Sequence, residues 1–175
     1  MNLKKAAACA AISALLLTGC AGGQDNVTEN TVTENAVQET VPSDVQVKQP
    51  SPADITAAIT AEIEIPSAVE KDKDSIDFYF TVDKAQLESV SMFICGSGAF
   101  PDELVVLKMT SDDAAVAAAG EVQKHLDSQI ELYRDYTPDE FYKLEGAAVT
   151  VKNGYVMLFV CADNARAMEI AESLF

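Results

Sequence analysis

Asn153-Gly154 separates two apolar runs, Ala147 to Lys152 and Tyr155 to Cys161. Few residue pairs limit the fold of a chain as much. A type I′ turn needs positive φ at both central residues, which asparagine and glycine tolerate best, and its twist matches that of paired strands. The two runs are therefore expected to form an antiparallel hairpin.

The other elements follow from caps and periodicity. Ser51-Pro52-Ala53-Asp54 has the form of a capping box with proline at the first helical position, and Ile55, Ala58, Ile59 and Ile63 then share a helical face up to Pro66. After the charged turn Lys71 to Asp74, the alternation of Ile76, Phe78, Phe80 and Val82 predicts a strand. A turn or short helix over Asp83 to Glu88 leads to strands over Ser89 to Cys95 and Glu103 to Met109. Ser111 is placed to cap the longest helix, running to about Tyr133, with a stripe of Val116, Ala119, Val122, Leu126, Ile130 and Tyr133. Thr137-Pro138-Asp139-Glu140 reads as a second capping box, opening a short helix that uses Phe141, Tyr142 and Leu144. Asp163 begins the last helix, with Ala167, Met168, Ala171, Leu174 and Phe175 inward.

All of this lies beyond residue 52. Upstream, Lys4 and Lys5 precede an apolar run, Ala6 to Leu17, which closes on Leu17-Thr18-Gly19-Cys20. That run is shorter than the roughly 18–20 residues a bilayer-spanning helix needs, and its anatomy is that of a secretory signal. The closing residues resemble the lipobox of bacterial lipoprotein signal peptides. That resemblance implies cleavage after residue 19, diacylation of Cys20, and display on the outer face of the cytoplasmic membrane. Two acyl chains hold a protein stably where one does not. Residues 20–52 are then a lipidated cysteine and a polar tether, with a loose echo in Val27-Thr28-Glu29-Asn30, Val32-Thr33-Glu34-Asn35 and Val37-Gln38-Glu39. Such a segment buries too little to offset ordering entropy and is expected to be disordered. Residues 53–175 remain for one domain.

Charge narrows the partners. The chain has 28 acidic against 12 basic residues, a formal −16, and loss of the leader's lysines leaves the remainder more acidic still. Such a surface repels nucleic acid. Asp72, Asp74 and Asp77 do not make a calcium loop, because a glycine at the sixth position and a glutamate at the twelfth are missing. Gly96-Ser97-Gly98 is not followed by the lysine–hydroxyl pair of a phosphate loop, and leads into a strand. No metal and no cofactor is implied. His125, the only histidine, stands beside Lys124 and Asp127 and reads as a solvated helix residue. Cys95 and Cys161 each close an expected strand; an exported compartment permits a disulfide, and two buried thiols are the alternative. The loop Gly96, Gly98, Phe100, Asp102, Glu103 is the candidate binding surface, since it carries an aromatic beside a proline.

Gly98 to Lys108, the long helix, Tyr136-Thr137-Pro138-Asp139-Glu140 and the closing hairpin together resemble a domain of unknown function (DUF4358-like) found in small lipoproteins of Gram-positive anaerobes. The motifs that carry the likeness are Asp102-Glu103 with Lys108 on one strand, and the Tyr136/Pro138 turn. The resemblance also implies an arginine one turn before Gln129, where this chain has Leu126 or His125. It implies a lipoprotein and a fold, but no activity.

The expected fold is a single small α+β domain. About five strands form a mainly antiparallel sheet covered on one face, mixed if the long helix sets the third and fourth strands parallel, with one long and two or three shorter helices. The favoured function is a non-catalytic envelope module, held to the membrane by its lipid, that binds a protein, peptide or wall component. The alternative is a carboxylate-dependent envelope hydrolase using Asp102, Glu103, Asp139 or Glu140, which would need two acids facing across a cleft.

Overall fold

A computed structural model describes residues 48–175; the leader, Cys20 and nearly all of the tether lie outside the described residues. The elements run α1 (Pro52–Glu62), β1 (Ala68–Lys71), a 3-10 helix (Lys73–Phe78), β2 (Leu87–Cys95), β3 (Glu103–Met109), α2 (Asp112–Tyr136), a second 3-10 turn (Pro138–Glu140), α3 (Tyr142–Glu145), β4 (Val149–Lys152), β5 (Tyr155–Val160) and α4 (Asn164–Glu172). This is a single α+β domain around one sheet of order β1-β2-β3-β5-β4, in which every neighbouring pair is antiparallel. The long helix does join two strands of the same direction, β3 and β4. They are not neighbours, however, because β5 returns between them and keeps the sheet antiparallel.

The sheet is covered on both faces, where the sequence suggested one. Val105, Leu107, Val156, Leu158 and Val160 pack with Val122 and Leu126 of α2. Leu104, Val106, Met157 and Phe159 pack with Ile55 and Ile59 of α1 and Ala167 and Ala171 of α4. β5 is buried at every position, and β3 at all but Lys108. The signal was present in their uninterrupted apolar runs, which are the mark of strands buried on both sides. Fully burying one such aliphatic side chain contributes about 1.5–3 kcal/mol.

The capping box of α1 forms as expected, with Asp54 N–H donating to Ser51 Oγ at 3.1 Å and Ser51 N–H to Asp54 Oδ2 at 2.8 Å. The expected strand over Ile76 to Val82 does not form. Asp72 accepts from the Ser75 N–H at 2.8 Å and starts a 3-10 helix instead. Ile76 and Phe80 are buried, whereas Phe78 is 86% exposed. A spacing of four serves a helical turn as well as an alternating strand, and the cap decides between them. The first strand is Ala68–Lys71, an edge segment too short and too exposed to show a pattern. In α2 the buried stripe is Ala115, Ala118, Val122, Leu126 and Tyr133, and Val116 is exposed; the alanines let the helix lie close to the sheet.

Asn153 and Gly154 have φ of 50° and 77°, the left-handed pair that a type I′ hairpin requires. Lys108 Nζ donates to the Asn153 carbonyl at 2.7 Å and lies 4.4 Å from the centroid of the Tyr155 ring, so it braces this turn. A Cβ at Gly154 would stand 2.9 Å from Lys108 Nζ and 3.3 Å from the Met109 carbonyl oxygen. Gly154→Ala is therefore expected to lower stability by about 1–2 kcal/mol through the left-handed penalty alone. Chemical denaturation should show this as an earlier midpoint with an unchanged slope.

Candidate functional site

Glu103 opens β3, and Asp102 directly precedes it at the end of the loop after β2. Both are buried, at 1% and 3% exposure, and each therefore needs a partner of its own.

Asp102 meets Lys143 of α3, whose Nζ donates to both carboxylate oxygens at 3.0 and 2.7 Å. The same ammonium lies 2.6 Å from Glu140 Oε2. The backbone here is fixed by Asn164, which donates to the Lys143 carbonyl at 2.6 Å and accepts from Cys161 N–H at 2.8 Å. Burial raises the Asp102 pKa above the ordinary carboxylate value, with the Lys143 hydrogen bonds opposing. Burial also opposes the charge on Lys143, but its bonds to Asp102 and Glu140 outweigh that and raise its pKa. Both directions have one origin: two carboxylates share one ammonium away from water, and the group as a whole holds its protons. Asp102 and Glu140 are thus bridged by a cation rather than facing each other across a cleft. Asp139 is exposed beside them.

Glu103 meets α2. His125 Nε2 lies 2.9 Å from Glu103 Oε2, while Glu103 Oε1 is buried with no hydrogen-bond partner among the described residues. His125 is not a solvated helix residue. Its side chain is 11% exposed, and the Phe80 ring packs edge-on against it at 4.9 Å between centroids. Lys124 and Asp127 are its neighbours in sequence, but it lies one position from the buried Leu126 and so reaches the sheet. Gln129, one turn further along, also lines the resulting cleft. Where the resemblance implies an arginine, His125 therefore holds the place, since Leu126 is core.

The cleft has a volume of about 240 Å³ and lies between α2, the 3-10 segment and the loop after β2. Gly98, Phe100, Asp102 and Glu103 of the expected loop line it, together with Tyr79, His125, Gln129, Leu132 and Tyr133. Gly96 does not; its Cα faces Val69 of β1, where an added Cβ would come within 2.9 Å. Gly98 has a φ of 65°, which suits glycine. Tyr133 Oη lies 3.0 Å from the carbonyl oxygens of both Gly98 and Phe100 and pins the loop to α2. Phe100 is neither a free anchor nor a core plug but half-buried, with Lys143 Nζ 5.8 Å from its ring centroid.

Cys95 and Cys161 are free and buried. Cys95 ends β2 and Cys161 directly follows β5, with β3 between those strands; the registers carry both level with Asp102, so two strand spacings of about 4.8 Å separate their backbones. That exceeds the reach of a disulfide. Burial opposes ionisation of Cys95, but hydrogen bonds from Ser97 and from the backbone of Gly98 and Phe100 outweigh it and lower its pKa. Burial raises that of Cys161. A basic side chain is the usual signal for a low thiol pKa; here the Ser97 hydroxyl, 3.4 Å from the sulfur, supplies the effect first, and backbone N–H groups of the loop add to it. The expected capping box at Thr137 does not form. Among the described residues Thr137 makes no side-chain cap and its Oγ1 is buried without a partner; its N–H already donates to the Tyr133 carbonyl at the end of α2, and the Glu140 carboxylate goes to Lys143. Among the described residues there is no cluster of three or more histidine, cysteine or acidic side chains placed to hold a metal, and no helix long and apolar enough to cross a membrane.

Lys143→Met is expected to destabilise the fold by about 3–5 kcal/mol, because it strands the Asp102 carboxylate without a cation. Adding Asp102→Asn should recover much of the loss. The raised Lys143 pKa gives a pH test. A raised lysine contributes fully below its unfolded value and loses that contribution as pH rises through the folded value. Melting temperature should therefore fall above about pH 10.5 more steeply in the parent than in the double variant. Equal alkaline limbs would show that Lys143 does not carry this dependence.

Residues 61–161 match the family model described as Domain of unknown function (DUF4358). No curated protein and no solved structure matches the chain. The matched span runs from the last turn of α1 to just past β5, and holds all of the cleft and all of the Asp102–Lys143–Glu140 cluster. Since it covers more than half of the sequence, the chain belongs to this family of domains of unknown function.

Proposed function

We propose that this protein is a lipid-anchored module of the bacterial envelope that binds a partner without transforming it, and that the cleft beside Glu103 is its binding site. The carrying observation is the buried Glu103 carboxylate in the cleft wall, with one oxygen engaged by His125 and the other without a partner. A stable fold answers nearly all its buried polar atoms from within, and one left unanswered in a cleft wall points to an external group. The half-buried Phe100 and the 57% exposed Leu132 at the cleft add the apolar contact that binding loops commonly use. The anchor rests on Leu17-Thr18-Gly19-Cys20 and on the resemblance to small Gram-positive lipoproteins. It sets the protein on the outer face of the cytoplasmic membrane, with an envelope protein, peptide or wall component as partner. The hydrolase alternative loses its motive, because Lys143 bridges two of its nominated acids.

Two measurements test this reading. Cys20→Ala should abolish lipid labelling and leave either an unprocessed precursor or protein released to the medium; unchanged processing and membrane retention would refute the anchor. A photo-crosslinking residue at Leu132 should capture an envelope component that the same residue at Val116, exposed on the first turns of α2, does not. Identical products from both positions would refute the cleft as the site.

A further inference from the structure

We infer that the cleft receives a ligand bearing an ammonium or guanidinium group on an apolar stem, with Glu103 as the receiving carboxylate; this rests on the cleft being the binding site. Glu103 is short of donors: the Gln129 amide and the Tyr79 hydroxyl also line the cleft, and neither is bonded to it. An ionised carboxylate has about four lone-pair sites, and Glu103 has one direct partner, His125. The single phenolic proton of Tyr133 stands between two carbonyl oxygens, so that of Gly98 or that of Phe100 goes without it at any moment. His125 engages Glu103 through Nε2, and in the neutral ring that donates from Nε2 the other nitrogen is a further acceptor. A ligand completing this set must bring N–H groups.

Charge selects among donors. Among the described residues no lysine or arginine lines the cleft, and the chain carries a formal −16, so an anion is disfavoured and a cation is drawn in. A divalent metal is poorly served, because both oxygens of Asp102, the other acid of the cleft wall, are held by Lys143. An organic cation needs fewer ligands and uses the remaining walls, Tyr79, Ile94, Phe100 and Leu132, for its stem. The volume of about 240 Å³ falls below the roughly 300–1,000 Å³ of drug-sized sites and suits one basic side chain or a small amine. Rotation of a glutamate carboxyl about χ3 is soft, so Oε1 can turn towards the cleft as a donor arrives.

The test is a titration of the ¹⁵N-labelled full chain in detergent micelles, following the Gln129 side-chain amide and the His125 ring. The probes are arginine amide, n-butylamine, the peptide Gly-Arg-Gly, neutral citrulline amide and anionic N-acetylglutamate. Saturable shifts at both groups are expected with the cations, at least about tenfold weaker with citrulline amide, and absent with the anion. Tighter binding of the peptide than of n-butylamine would identify a basic side chain as the source of the cation, and the reverse order a free amine. Glu103→Gln should remove the preference for arginine amide over citrulline amide. Should that variant fail to fold, Leu132→Lys sets a competing charge on an exposed position of the cleft and should weaken the cationic probes more than citrulline amide. Equal or better binding of the neutral or anionic probe overturns the cation while leaving the cleft as a binding site. No response to any probe overturns both.

Discussion

The central strand β3 is buried on both faces, yet two acids stand at its start, Asp102 just before it and Glu103 as its first residue. A carboxylate taken out of water without a partner is among the costliest features a fold can contain, so Asp102 and Glu103 dictate what must pack around them. Each has its own partner: Lys143 for Asp102 and His125 for Glu103. The chain between α2 and β4 is bent to meet the first demand: the 3-10 turn and the single turn of α3 carry Glu140 and Lys143 to Asp102, and Asn164 ties that turn to β5. The second demand is met by α2, which must lie close enough to the sheet for His125 to reach Glu103. Ala115 and Ala118 in its buried stripe permit that approach.

The ion cluster need not add net stability. Buried pairs often do no better than apolar residues of the same size, because desolvation offsets attraction. Their effect is on uniqueness, since any packing that moves Lys143 leaves a charge unpaired. That explains how a four-residue helix keeps its place although its own hydrogen bonds are too few to define it.

Features written in local sequence were legible. Ser51 with Asp54, Ser111, Asp163 and Asn153-Gly154 each act within a few residues, and each forms. Glu103 to Met109 has its expected bounds because a strand buried on both faces leaves an uninterrupted run. What failed depended on distance. Ile76 and Phe80 satisfy two periods at once, and only the Asp72 cap separates them. Thr137 has a capping sequence, but its N–H closes α2 on the Tyr133 carbonyl, and Glu140 goes to a lysine whose other partner lies 41 positions away in the chain. His125 was judged by Lys124 and Asp127 beside it, whereas its environment is made by Phe80 and Glu103, both remote in sequence. Of the candidate site, the loop was legible through Phe100 and its glycines. The helix wall that completes the cleft was not.

Two neighbouring acids thus end in opposite conditions, and the difference separates structure from function in this domain. Asp102 has both oxygens bonded to one ammonium, sits at the centre of a closed cluster, and offers nothing to a ligand. Glu103 has one oxygen bonded and one not, in the wall of a cleft that holds further unclaimed acceptors. A fold selected for stability alone would have answered the second acid as it answered the first, since leaving a buried acceptor unanswered costs about 1–3 kcal/mol. Tyr133 pins the loop beside the cleft through the Gly98 and Phe100 carbonyls, and its hydroxyl is engaged there. Stability is given up at Glu103 in the wall of a cleft, which is the pattern expected where a protein keeps a site for something other than itself.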